Sequence, residues 1–147
     1  MRAFTLIGTA GFLWGVVAGA AFLSNGLKPW DLAVPWGAVA AAWIVAEVSK
    51  HFFDRARPSI SDSEIAPLIK TPSSSSFPSG HAATAAAGAL TLSLAYPPFA
   101  PLLVLAGLLV TLSRVYLGVH YPFDVLAGVT IGLVMATLFL TLAGFVA

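Results

Sequence analysis

Three short stretches of this chain carry residue types that could grip and split a phosphate group: Lys50 to Arg57-Pro58, then Pro78-Ser79-Gly80-His81, then Ser113-Arg114 followed by His120 and Asp124. Three cations, two imidazoles and one carboxylate stand among residues otherwise almost free of charge. Desolvation makes ionisable groups costly in such surroundings, so they are functional candidates. Pro-Ser-Gly-His at a helix entrance suits an anion. Gly80 lets the backbone approach, and the first N–H groups and the helix dipole favour negative charge there. Ser79 could add a hydroxyl donor or cap the helix. His81 then stands in the first turn, beside any bound phosphate.

His120 and Asp124 are four residues apart and share a helix face, with Pro122 suited to the first turn between them. A carboxylate bonded to one imidazole nitrogen sets the tautomer and makes the other nitrogen a better nucleophile or base. The competing reading is a helix-capping aspartate beside an interfacial histidine. Lys50, Arg57 and Arg114 could each be interfacial residues whose stems lie in lipid. Their convergence on the face holding both histidines favours phosphate binding instead, because a phosphoryl group in transition spreads charge over its equatorial oxygens. His81, His120 and Asp124 could also form a two-histidine, one-carboxylate metal triad. Three nearby cations repel a divalent ion and supply its charge, so no metal or other cofactor is expected. His51 reads as interfacial.

These groups need elements to hold them, and composition says which. Of 147 residues, 59% are hydrophobic and 9% charged, and the mean hydropathy is +0.92, which marks a membrane protein. A net charge of +1 without a basic run argues against nucleic-acid binding. Cysteine is absent, which removes disulfides, thiolate metal sites and a cysteine nucleophile.

Uncharged stretches long enough for a bilayer number five, predicting an all-α bundle of five transmembrane helices in a single membrane-embedded domain, residues 1–147. They are Ala3 to Leu23, Leu32 to Val48, Gly80 to Tyr96, Leu102 to Leu117 and Phe123 to Phe145. Tandem prolines in Pro97-Pro98-Phe99-Ala100-Pro101 separate the third from the fourth. Ala18-Gly19-Ala20 resembles a signal-peptide cleavage site, but the apolar run continues to Leu23 and suits a retained span. His51 to Ser79 holds most of the charge and reads as a lid or binding loop. Five spans place Lys50, His81, Arg114, His120 and Asp124 on one membrane face.

With these residues assembled, the chain resembles the type 2 phosphatidic acid phosphatase superfamily. That signature is Lys, six residues, Arg-Pro; then Pro-Ser-Gly-His; then Ser-Arg, five residues, His, three residues, Asp. Lys50, Arg57, Pro58, Pro78, Ser79, Gly80, His81, Ser113, Arg114, His120 and Asp124 fill every fixed position. The resemblance implies that His120 attacks phosphorus to give a phosphohistidine, Asp124 orients and charges the imidazole, and His81 protonates the leaving oxygen. Lys50, Arg57, Arg114, Ser79 and the Gly80 amide would hold the phosphate oxygens, and water would hydrolyse the intermediate without a metal. Soluble vanadium haloperoxidases share the signature, but five apolar spans argue against that branch.

Integral-membrane members of the family typically carry six spans, with two helices before the lysine-arginine motif, whereas here there is one. With the N-terminus inside the cell, that difference moves the site to the cytoplasmic face. Arg2, Arg55 and Lys70 on the site face, against Lys28 opposite, agree with it. The expected function is removal of a terminal phosphate from a membrane lipid: a polyprenyl diphosphate, a polyprenyl-phosphosugar phosphate, phosphatidylglycerophosphate or phosphatidic acid. The rival is a catalytically silent or transport-type bundle that binds anionic headgroups. A neutral His120 and a protonated His81 predict a bell-shaped pH–rate profile.

Overall fold

The computed structural model describes residues 12–25, 29–61 and 73–144. Within them the chain forms α1 (Phe12–Asn25), α2 (Pro29–Ser49), a short 3-10 turn (Lys50–Phe52), α3 (Pro58–Ser61), α4 (Gly80–Ala95), a second 3-10 turn (Pro97–Phe99), α5 (Ala100–Tyr116) and α6 (Pro122–Leu142). No strand occurs among the described residues, as an all-α architecture requires.

Proline and capping chemistry set these limits. Ser79 takes an extended conformation (φ −79°, ψ 108°) and its Oγ accepts from the Ala82 N–H at 3.4 Å, which starts α4. At the other end, Tyr96 closes α4 ahead of the prolines, and Pro101 is accommodated in the first turn of α5 because its missing N–H has no partner to lose there. Pro122 opens α6 in the same way. The observed ends lie close to the sequence-based ones for α4, α5 and α6. In α2 they lie wider: the helix runs from Pro29 to Ser49, so Asp31 and Glu47 belong to it rather than border it.

Among the described residues, three helical segments are long and apolar enough to cross a bilayer: Leu32–Phe52, Pro97–Tyr116 and Pro122–Leu142. Five helices, α1, α2, α4, α5 and α6, occupy the five expected stretches, so the count of five holds approximately. With 16 residues, α4 is ~24 Å long at ~1.5 Å per residue, short of a ~30 Å hydrocarbon core. The described part of the first span, α1, has 14 residues, and positions 3–11 lie outside the described residues.

Shortness suits α4 because it is the central helix, packed against α1, α2, α5 and α6. Ala82, Ala83, Ala85, Ala87 and Leu92 are wholly buried along it. Small residues let neighbouring backbones close on it, the usual device where apolar lipid leaves no hydrophobic drive between helices. Cβ atoms at Gly128 and Gly132 of α6 would collide with the carbonyl oxygens of Ser79 and Ala83. Gly88 lies under the Trp14 ring, and Gly107 of α5 meets Ala89. On the outside, Leu102, Leu105, Leu108 and Leu112 form an exposed stripe along α5, and Leu126, Leu133, Leu138 and Leu142 of α6 are exposed as well. Such apolar surfaces belong against lipid.

Candidate active site

Four helix ends meet at one end of the bundle. The Lys50 turn closes α2, Ser79 and Gly80 open α4, Arg114 lies in the last turn of α5, and Asp124 in the first turn of α6. The Ser79 N–H donates to the Asp124 carbonyl at 3.0 Å, which ties the start of α4 to the start of α6. Gly118 ends α5 with φ +69°, a left-handed conformation that favours glycine. That reversal lets the His120 N–H donate to the Arg114 carbonyl at 3.3 Å. The five residues between Arg114 and His120 thus fold into a return that sets the two side chains together.

His120 is 4% exposed. Its Nδ1 donates to the Ser76 carbonyl at 2.7 Å, which leaves Nε2 unprotonated, with its lone pair accepting from Arg57 Nη1 at 3.3 Å. Burial, reinforced by the charges of Arg57 and Arg114, lowers its pKa from 6.5 to about 3, against the raising effect of the Ser76 bond. The imidazole is therefore neutral at physiological pH, with the tautomer a nucleophile needs.

Asp124 is wholly buried but does not make the expected bond. Its Oδ2 lies 3.8 Å from His120 Nδ1 and instead accepts from the Tyr121 N–H at 2.9 Å. Its Oδ1 accepts from Arg55 Nη1 at 2.6 Å. Arg55 also lies over the Tyr121 ring, 4.4 Å from its centroid. The Ser76 carbonyl thus orients the imidazole, while Asp124 supplies nearby negative charge and caps α6. Of the two arrangements the sequence left open, the helix cap is made and the bond to the imidazole is not.

The three phosphate-binding candidates differ in state. Arg57, 2% exposed, spends its N–H groups on the Ser74 carbonyl (3.1 Å), Ser74 Oγ (3.3 Å), the Ser75 carbonyl (3.2 Å), the Val119 carbonyl (3.0 Å) and His120 Nε2 (3.3 Å). It clamps the loop before α4 to the turn after α5. Burial lowers its pKa, opposed by Asp124 and Glu47, and the group stays charged. Arg114 is equally buried, yet Nε and Nη1 have no hydrogen-bond partner among the described residues, nor has His81 Nε2. Lys50 Nζ donates to Glu47 Oε1 at 2.5 Å. Beside it, a Cβ on Gly80 would meet Glu47 Oε1 at 3.1 Å, which places that carboxylate against the helix entrance. His81 stands in the first turn of α4, at the same helix entrance.

All eight candidates, Lys50, Arg57, Ser79, Gly80, His81, Arg114, His120 and Asp124, thus gather at one site, while His51 lies exposed and bonds back to the Glu47 and Val48 carbonyls. The charged loop positions Asp62, Glu64 and Lys70 lie outside the described residues. Motif spacing did not mark the Ser76 carbonyl, Arg55, Glu47 or Gly118. A backbone acceptor has no sequence signal, but Arg55 and Glu47 carried one as charges beside a motif. Among the described residues no group of three His, Asp or Glu could hold a metal ion. Asp124's bonds to Arg55 and Tyr121 occupy the carboxylate that the alternative metal triad needs.

An anion entering here would meet buried donors with nothing else to bond, two imidazoles and a helix N-terminus. Known proteins resemble the chain in sequence and in fold. The chain is 40% identical over 92 residues to the undecaprenyl-diphosphatase of Sulfolobus acidocaldarius, covering 62% of this chain and 45% of that protein. The chain therefore spans less than half the length of that relative. It superposes on the transmembrane PAP2-type phosphatidylglycerolphosphate phosphatase of Bacillus subtilis with a TM-score of 0.76 at 28% identity, covering 99% of this chain and 76% of the other. With Aquifex aeolicus LpxE the TM-score is 0.81 at 26% identity, covering 95% and 82%. Together with the apolar helices, these likenesses make the chain a multi-pass membrane protein. The PAP2 superfamily profile matches residues 32–146, from α2 past the end of α6 and through every motif gathered at the site, so the chain belongs to the PAP2 superfamily.

Proposed function

We propose that this chain is a membrane lipid phosphatase, a hydrolase that removes a terminal phosphate from a polyprenyl (di)phosphate, a polyprenyl-phosphosugar phosphate or a phospholipid. The observation that carries the reading is the set of unpartnered buried nitrogens, Arg114 Nε and Nη1 and His81 Nε2, beside a neutral His120. A folded protein rarely leaves buried donors unpaired, and a phosphoryl group supplies the acceptors they lack. The Sulfolobus relative is named for a polyprenyl diphosphate and the Bacillus one for a phospholipid phosphate, which supports both substrate classes.

In this mechanism His120 Nε2 attacks phosphorus as the bond to the leaving oxygen breaks, and His81 Nε2 gives that oxygen its proton. The Ser76 carbonyl and Asp124 carry the positive charge that develops on His120. Arg114, Lys50 and the Gly80 amide hold the equatorial oxygens, Ser79 lends its hydroxyl, and Arg57 turns its His120-facing N–H toward the phosphate. Water then attacks the phosphohistidine, returns a proton to His81 and releases inorganic phosphate, with no metal or other cofactor. Residues 1–147 act as one membrane-embedded domain, and the site faces the cytoplasm, in keeping with the Lys and Arg bias.

The test is phosphate release from a panel of these lipids by purified protein in detergent with chelator present. Release is expected from wild type and its loss from His120→Ala. Unchanged release by the variant, or activity that needs added divalent metal, would overturn the mechanism. A silent headgroup-binding bundle would bind the lipids and release nothing.

A further inference from the structure

Glu47 is a carboxylate beside the cradle that this mechanism leaves unused. It takes one of the partners that the mechanism gives to phosphate, Oε1 accepting from Lys50 Nζ at 2.5 Å, and it stands at the α4 entrance, where a Gly80 Cβ would meet Oε1 at 3.1 Å. Its charge also acts on Arg57. The Lys50 side chain is 11% exposed and the Glu47 side chain 35%, so the carboxylate can leave toward water while the cation stays. An anion tethered to the site competes at an effective concentration on the order of millimolar.

Resting on the lipid-phosphatase reading, we propose that Glu47 is a specificity-determining residue that excludes the singly charged phosphodiester headgroups of bulk lipid and yields to a doubly charged terminal phosphate. A phosphodiester brings one negative charge, so replacing Glu47 with it gains nothing in Coulomb energy. A terminal phosphate brings about −1.5 to −2 at neutral pH and offers a further oxygen to Arg114 and His81, so it wins the exchange. A cationic site at a membrane rim is bathed in phosphodiesters, and without an internal competitor it would be filled by them.

The test is equilibrium binding by calorimetry of inorganic phosphate and of dihexanoyl phosphatidylglycerol to detergent-solubilised wild type, Glu47→Gln and Glu47→Asp. Glu47→Gln is expected to bind the phosphodiester at least about tenfold more tightly, the scale of one removed like charge at a partly solvated site, and phosphate more tightly by at least a similar factor, so that only in this variant does the phosphodiester fill the site. Glu47→Asp should keep the wild-type preference, and phosphatidylglycerol should inhibit lipid-phosphate turnover by Glu47→Gln at lower concentration than it inhibits wild type. An unchanged affinity for the phosphodiester in Glu47→Gln overturns the proposal. So does loss of phosphate binding by that variant, which would make Glu47 a mere support for Lys50. Failure of the wild type itself to bind phosphate sinks the phosphatase reading and this one together, and it is seen without any variant.

Discussion

Arg57 and Arg114 are both 2% exposed, yet their guanidinium groups are in opposite states. Arg57 has bonds for its donors; Arg114 holds Nε and Nη1 in reserve. Arg57→Lys should therefore cost stability, on the order of 3 kcal/mol by thermal unfolding in detergent, because buried carbonyls lose charged donors. Arg114→Ala should leave unfolding nearly unchanged and lower the rate of phosphate release by about 10²- to 10³-fold, as loss of a preorganised oxyanion donor does. His120 supplies a second prediction. With its pKa lowered to about 3 from 6.5, the folded state binds fewer protons than the unfolded chain between those values. Its contribution to stability is full above pH 6.5 and is lost as pH falls toward 3, by up to about 1.4 kcal/mol per pH unit. His120→Asn should flatten that acid-side loss, read as melting temperature against pH. The same value moves the acid limb of kcat/KM expected from the free nucleophile to near pH 3.

Among the elements, α4 and α6 carry the site through one contact. Asp124, Gly128, Gly132, Ala136 and Leu140 follow at four-residue steps, all buried. Glycine at 128 brings the α6 backbone onto the Ser79 carbonyl, next to the Ser79-to-Asp124 bond. Gly128→Ala should push these helices apart, costing roughly 1–3 kcal/mol and most of the activity, since Asp124 and the α4 entrance move with it. Gly19→Ala, with nothing within 4 Å of the added methyl, is the control and should be neutral or slightly stabilising. The small residues of α4 were legible in the sequence as packing features. Their partners at Gly128 and Gly132 were not, because a glycine in an apolar helix does not say which backbone it touches.

For the whole molecule, the site occupies one end of the bundle, with exposed leucines along α5 and α6. Phe52, 79% exposed, lies beside the site, and Phe99, 58% exposed, lies at the opposite end of α5 from Arg114. The chain has no cysteine, so Phe52→Cys and Phe99→Cys each give a single label site. In intact cells an impermeant maleimide is expected to label Phe99→Cys and to reach Phe52→Cys after permeabilisation; the reverse pattern would place the site on the outer face. Much of this architecture was readable from residue order. Apolar runs and prolines bounded the helices, and the alternation of spans brought Lys50, His81, Arg114 and Asp124 to one end, because a helix crossing lipid must emerge on the other side. What sequence determined, then, was which residues meet and what chemistry they carry. Tertiary structure decided how they divide the work: the imidazole bonds Ser76 instead of Asp124, Arg55 takes that carboxylate, and Glu47 sits at the phosphate entrance. These choices hang on differences of about an ångström among competing partners. Spacing along a chain places side chains in the same neighbourhood, but only the packed backbone of α4 against α6 and the Arg57 clamp settle which oxygen lies nearer which nitrogen.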